Sequence, residues 1–350
     1  MYFSRLAVFL ALSAVSRVGH ALTYHGADFS SLILLEDSGI VYYDSATSST
    51  AFEDILATHG TNLARIRVWT STNEDDYSLT YGLALAKRAV AAGMDLLIDL
   101  HYSDTWADPG DQTIPSGWPT TLAGLNTQIY TYTMDLVNSF SAQGTPITFI
   151  QIGNEINDGI LWPVGQISVN GYSPLSQLLN SAVSGVRAAS SSVKTVVHLA
   201  NGWDASAVAS FYEQVFIAGE FSTADVDVMG FSFYPFYGTG ATTSALQSSL
   251  QAMVTKYDKP VMVVETDWPE SCSGVALSED IAISAAGQQT WVLDIKDVLS
   301  SLSGGAGIGI AYWEPGWIGN ADLGSSCADN LLVNSDGTTR TSIAMFSADM

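Results

Sequence analysis

Short runs of aliphatic and β-branched residues recur along the chain, separated by stretches whose apolar positions fall three and four apart. The runs lie at Tyr24–Ala27, Leu63–Val68, Asp95–Leu100, Ile147–Ile152, Thr195–Leu199, Val226–Phe231, Val261–Val264 and Ile308–Tyr312. Most are nearly continuous in apolar residues, as strands buried on both faces of a parallel sheet are. Between them, helical patterns cover Tyr81–Ala92, stopped by Gly93, and Thr127–Ala142, stopped by Gly144, with similar stripes over Ser176–Ala189 and Gln288–Leu299. Eight such strands alternating with helices predict the α/β class and a single closed (β/α)8 barrel, the TIM barrel. No glycine-rich phosphate loop follows the first strand, which weighs against a nucleotide-binding sheet.

The N-terminus reads as a processing signal. Met1–Arg5 carries positive charge, Leu6–Val15 is apolar, and Gly19 and Ala21 frame a cleavage site. The apolar run is half the ~20 residues that a membrane span needs. Residues 1–21 are therefore expected to be a signal peptide, rather than a buried first helix, and 22–350 one secreted catalytic domain. Lys and Arg number 12 against 35 Asp and Glu, a net charge of −23. So acidic a surface repels nucleic acid, anionic lipid and strongly anionic polymers, and favours a neutral substrate. Cys272 and Cys327 are able to form one disulfide in an oxidising compartment, or to remain as buried thiols. No partner surface is legible, and a monomer is expected.

Barrel enzymes carry their chemistry at the C-terminal ends of the strands. Polar and aromatic residues collect there: Arg67 and Trp69; His101, Asp104 and Trp106; Asn154 and Glu155; His198; Tyr234; Glu265 and Trp268; Trp313 and Trp317. Glu155 ends the fourth strand and Glu265 the seventh, roughly opposite across an eight-stranded barrel. Hydrolysis of a glycosidic bond needs two carboxyl groups, ~5–5.5 Å apart where configuration is retained. Glu155, raised in pKa by burial or by its neighbour, fits the acid/base; Glu265, held ionised by donors such as Arg67 and Tyr234, fits the nucleophile. Arg65 and Arg67 share parity, and a cation inside a barrel needs an anion. Asn154 suits a sugar 2-hydroxyl. His101 and His198 either orient carboxylates or are satisfied core histidines. The five tryptophans suit the apolar faces of sugar rings, one or two of them being ordinary core. No HExxH, CxxC or close His/Cys set points to zinc, and no G-x-S-x-G to an esterase; no cofactor is expected.

These motifs resemble family 53 of the glycoside hydrolases, the endo-β-1,4-galactanases, in their fungal form, over nearly the whole chain from Leu22. The segments that carry the resemblance are YHGADFSS from Tyr24, RIRVW from Arg65, DLHYSDTWAD from Asp99 and IGNE from Ile152. YPFY from Tyr234, VETDWP from Val264, YWEPGWIGN from Tyr312 and GSSCADN from Gly324 complete them. The resemblance implies retaining endo-hydrolysis of β-1,4-galactan side chains of pectin, with Glu155 and Glu265 at the family's acid/base and nucleophile positions. It places Asn154, Tyr234, Trp268 and Trp313 in or beside the sugar cleft. It also implies a Cys272–Cys327 disulfide joining the last two loops in place of the calcium that bacterial relatives hold there, so no metal is expected. His25, where an Arg is expected, and the stretch after His198 depart from the pattern and bear on fine specificity. A retaining endo-glycosidase on mannan, xylan or cellulose is the nearest alternative reading; an inactive sugar-binding protein is a more distant one.

Overall fold

The computed structural model describes residues 20–45, 48–71 and 77–347. The first nineteen residues of the expected signal peptide lie outside them.

Eight parallel strands close into a barrel: β1 Tyr24–Asp28, β2 Leu63–Val68, β3 Asp95–Leu100, β4 Phe149–Ile152, β5 Lys194–Leu199, β6 Val228–Ser232, β7 Val261–Glu265 and β8 Gly307–Tyr312. Each pairs with its sequence neighbours, and β1 closes the ring on β8. The expected helices are present, beginning a few residues earlier than their apolar stripes, at Leu79–Ala91, Leu122–Ala142, Tyr172–Ala189 and Ala285–Ser300. Further helices were not singled out in the sequence: the short Leu32–Asp37, Phe52–Thr58 and Ile167–Asn170, and the long Ala205–Ile217 and Thr243–Tyr257. The two long ones carry legible caps: Asp204 accepts from the Ser206 and Ala207 amides, and Thr242 from that of Ala245. After β8 the described residues hold a 3₁₀ segment, Thr341–Phe346, packed against the Ala285–Ser300 helix.

Strand periodicity explains how the barrel is filled. Every second residue points inward. The deepest inward positions are apolar and form one cluster: Leu63, Leu97, Phe149, Val196, Val228, Met262 and Val264, with Tyr24 and Ile308 against them. Two residues further along the same strands the inward positions turn polar, to Arg65, Asp99, Gln151 and His198, all buried. The outward residues between them, such as Ile66, Ile98, Ile150 and Val197, belong to the larger core beneath the helices. An apolar plug thus seals one end of the barrel and leaves a charged layer facing the other.

Strand ends differ slightly from the sequence pattern. β6 starts at Val228, because the Asp227 carboxylate leaves the sheet to meet Arg187 at 2.6 Å and the Thr195 amide at 2.8 Å. It also runs one residue further, to Ser232, where its register with Glu265 of β7 shifts.

The loops after β7 and β8 are tied together. Cys272 and Cys327 form a disulfide across 55 residues of chain. The Glu270 amide donates to Asp329 O at 2.8 Å, and Arg340 pairs with Asp329 at 2.6 Å. Replacing both cysteines by serine is expected to lower stability by about 2–4 kcal/mol. Denaturant unfolding under non-reducing conditions checks this; an unchanged midpoint would show that the polar contacts alone hold the loops.

Candidate active site

The charged layer converges on Arg65. Its Nη1 donates to Asp28 Oδ2 at 2.7 Å, its Nε to Gln151 Oε1 at 3.0 Å, and its Nη2 reaches Asp99 at 2.9 Å, Asn154 Oδ1 at 3.0 Å and Glu265 Oε1 at 2.7 Å. Arg67, expected to hold Glu265, instead pairs with Glu314 at 2.6 Å. Its guanidinium lies 4.2 Å from the Tyr77 ring centre and 4.4 Å from that of Trp106. The difference has a simple cause: Arg65 sits one inward step deeper, at the level where the carboxylates of several strands meet, whereas Arg67 lies at the rim among aromatics.

Glu155 follows β4 through a sharp turn. Gly153 takes φ +107°, and a Cβ there would stand 2.5 Å from Ile156 Cγ2. Glu155 itself has φ +48°, a left-handed conformation uncommon for a residue with a side chain. Its amide donates to His198 Nδ1 at 3.4 Å, and the Ile156 amide to His198 O at 3.0 Å. The turn aims the carboxyl group over the barrel mouth. Ser232 donates to Glu155 Oε1 at 2.5 Å and stands 3.5 Å from Glu265 Oε2, so one hydroxyl sits between the two carboxyl groups. Tyr234 donates to Glu265 Oε2 at 2.9 Å. Carboxyl oxygens of Glu155 and Glu265 approach within 4.8 Å, the arrangement that a retaining double displacement uses.

The two carboxyl groups differ in their partners. Burial first, and then Glu265, push the Glu155 pKa up to about 8. Burial raises Glu265 also, but Arg65 opposes it, and Tyr234 adds a donor to the ionised form. The pair titrates as a unit, and the proton they share resides on Glu155, which has no cation in contact. Asp99 behaves oppositely: against its burial, Arg65 and His101 hold it at about 2. His198 is pushed well below its ordinary value by burial and by Arg65, so its ring is neutral.

Glu155, Glu265 and His198 bring ligand atoms together closely enough for a metal. However, the ring nitrogens of His198 already stand 3.0 Å from Gln151 and Asn154 and 2.8 Å from Ser232. His198 is thus already engaged on both nitrogens by side chains of the protein.

A cleft of about 480 Å³ opens over the pair. It brings together nine of the expected residues: Arg67, His101, Trp106, Asn154, Glu155, Tyr234, Glu265, Trp313 and Trp317. Asn154 spends one amide hydrogen on Ala107 O, at 2.8 Å, and keeps a second.

Four expected contacts lie elsewhere. Trp268 is fully buried against Trp291, its indole donating to Ala282 O at 3.0 Å. The chain beyond β7 stays extended, so Glu265 and Asp267 face the cleft while Thr266 and Trp268 face the core. Trp69 stands behind the wall, edge-on to Trp106 and Tyr77. Asp104 braces its own loop, accepting from Thr70 Oγ1 and the Ser116 amide, each at 2.7 Å. His198 lies beneath the floor.

Sequence reasoning missed Ser232, Asp267, Asp108 and Tyr237 as members of the site. Parity held the signal for two of them. Ser232 shares its face with Tyr234, and Asp267 shares its face with Glu265.

Comparisons with known proteins agree with this geometry. Residues 24–346 match the family model described as glycosyl hydrolase family 53. The chain is 46% identical to arabinogalactan endo-beta-1,4-galactanase A of Emericella nidulans, covering 97% of this chain and 99% of that one. It is 43% identical to the arabinogalactan endo-beta-1,4-galactanase of Thermothelomyces thermophilus, covering 93% and 99% respectively. A solved fungal β-1,4-galactanase superposes with TM-score 0.90 at 42% identity, covering 93% of this chain and 99% of that one. The catalytic domain from Ignisphaera aggregans superposes with TM-score 0.82 at 27% identity, covering 93% and 95%. Fold, paired carboxyl groups and relatives together define a glycoside hydrolase. The chain belongs to glycosyl hydrolase family 53.

Two expectations follow from the charge layout. Replacing Arg65 by Met strands Asp28, Asp99 and Glu265 without their cation and should cost about 3–5 kcal/mol of stability; chemical denaturation within 1 kcal/mol of the parent (about a fivefold change in folding equilibrium) would contradict the role of this hub. Glu155 holds its proton up to about pH 8 when folded, against an ordinary value of 4.5. The folded chain therefore binds more protons than the unfolded one between those values, and this group's contribution to stability falls as pH rises through that window. Glu155→Gln should flatten the loss of melting temperature between pH 5 and pH 8, the window of that shift. A variant with the parent's slope would place the proton elsewhere.

Proposed function

We propose that the chain is a secreted endo-β-1,4-galactanase, cutting the (arabino)galactan side chains of pectin with retention of configuration. The observation that carries this reading is the Glu155–Glu265 pair facing each other across the cleft within 4.8 Å, one protonated and one held by Arg65. The substrate comes from the relatives, which are named as arabinogalactan endo-beta-1,4-galactanases.

In the first step a Glu265 carboxylate oxygen attacks the anomeric carbon while the bond to the leaving oxygen breaks. Glu155 gives its proton to that oxygen, leaving a glycosyl ester on Glu265 and a carboxylate at Glu155. Arg65 and Tyr234 aim the nucleophile. In the second step Glu155 takes a proton from water as the water oxygen attacks the same carbon, and the ester bond breaks back to the Glu265 carboxylate. Loss of the negative charge on Glu265 during the first step is what allows Glu155 to become ionised in turn. Trp106, Trp313 and Trp317 offer flat apolar surfaces to sugar rings, Trp106 remaining 38% exposed. Export is supported by the leader pattern and by the disulfide. The strongly negative charge fits a neutral polymer and disfavours nucleic acid or anionic membrane as partner, and we take the working unit to be a monomer of one catalytic domain.

The test is release of reducing ends from β-1,4-galactan beside mannan, xylan and soluble cellulose, with the anomeric form of the first product followed by NMR. Selective galactan cleavage giving the β-anomer first is expected; an α-anomer would reject double displacement, and cleavage of another polymer would reject the substrate. Glu265→Gln should lower kcat by at least about a thousandfold while the protein still folds. Hydrolysis near the parent rate would remove Glu265 as nucleophile.

A further inference from the structure

Asp267 is a buried cleft carboxyl group without a counter-charge and, unlike Glu155, outside the facing pair. It lines the wall two residues past Glu265, is 1% exposed, and its Oδ1 has no hydrogen-bond partner. Among the described residues no cation pairs with it: Arg65 is engaged by Asp28, Asp99 and Glu265, and Arg67 by Glu314. The charged groups that face it are carboxyl groups, Glu265 from β7, Glu314 beyond β8 and Asp28 from β1, and the phenols of Tyr234, Tyr237 and Tyr312 stand around it. Burial, and then these neighbours, push its pKa well above the ordinary carboxylate range; the Trp313 backbone N–H is what favours the ionised form. A protonated carboxyl group offers one O–H donor and one carbonyl acceptor, much as a side-chain amide offers N–H and C=O. Native proteins pair almost all of their buried polar atoms, so an unpaired one in a cleft wall points to a partner that arrives with the ligand.

We propose that Asp267 is a substrate-binding residue, its free carboxyl oxygen taking a hydroxyl of the sugar that lies in the cleft beside Glu265. This rests on the glycosidase reading above and adds to it a group that selects for hydroxyl position. The geometry favours this over a purely structural role, because the Trp313 backbone N–H engages the carboxyl group while Oδ1 is left without a partner.

The experiment compares Asp267→Asn, Asp267→Ala and the near-isosteric, apolar Asp267→Leu on whichever β-1,4-glycan the parent cleaves. KM and kcat are measured for the polymer. Binding of the matching tetrasaccharide is measured by calorimetry in a Glu265→Gln background, with melting temperature as the control on folding. Asp267→Asn should stay within about threefold of the parent in KM and in tetrasaccharide Kd, because it keeps the hydrogen-bonding pattern. The Ala and Leu variants should weaken both by about tenfold or more at unchanged melting temperature. Unchanged binding in either folded apolar variant overturns the assignment, as does an Asn variant that loses as much as they do. A parent that prefers another glycan corrects the substrate and leaves this comparison intact, whereas a parent that cleaves none overturns both readings.

Discussion

Arg65 places one guanidinium among Asp28, Asp99 and Glu265 inside the barrel, where its side chain is 1% exposed. Carboxylates brought this close and this far from water would repel one another or take up protons. A single cation reaching all three allows a charged layer to exist above an apolar plug. Gln151 and Asn154 extend the same hub, tying β4 to β2 through Arg65 Nε and Nη2. The position of Glu265, and with it the whole cleft floor, follows from this arrangement.

The same shortage of cations produces the asymmetry that the chemistry needs. Arg65 is taken by the carboxylates around it and Arg67 by Glu314, so Glu155 and Asp267 are left without a positive neighbour in contact. Both respond by holding protons, Glu155 up to about pH 8. Glu314, even with Arg67 beside it, is lifted to about 7 by its burial. The two carboxyl groups are thus distinguished less by residue type than by which of them the arginine reaches. Ser232 completes the division, giving its hydrogen to Glu155 while standing between the pair.

Backbone geometry supplies the remaining precision. The left-handed conformation of Glu155, reached through Gly153, turns the chain sharply enough to lay the carboxyl group over the barrel axis. His198 receives the amide of this turn on one side and contacts Ser232 on the other, so a neutral, fully buried ring links the turn to the hydroxyl between the carboxyl groups. The aromatic wall depends on a similar linkage, Arg67 stacking beneath Trp106 while bound to Glu314.

The eight strands and the helices that end in glycine are local properties: apolar periodicity and terminal glycines encode them, and they were legible in the sequence, whereas the helices Ala205–Ile217 and Thr243–Tyr257 were not read from it. The identity of the carboxyl pair was legible as well, because two glutamates at the ends of the fourth and seventh strands can only meet across a closed barrel. What remained hidden were contacts between residues far apart in sequence. Which arginine holds Glu265 depends on how deep each side chain sits along a tilted strand, and parity, which Arg65 and Arg67 share, does not decide it. Trp268 and Asp267 are adjacent in sequence, yet the alternation of an extended chain sends the tryptophan into the core and the carboxyl group into the cleft. Sequence determines which groups are available and which face of a strand carries them. Only the closed barrel decides which of them share a proton, because that depends on distances across its axis and on how few cations lie within reach.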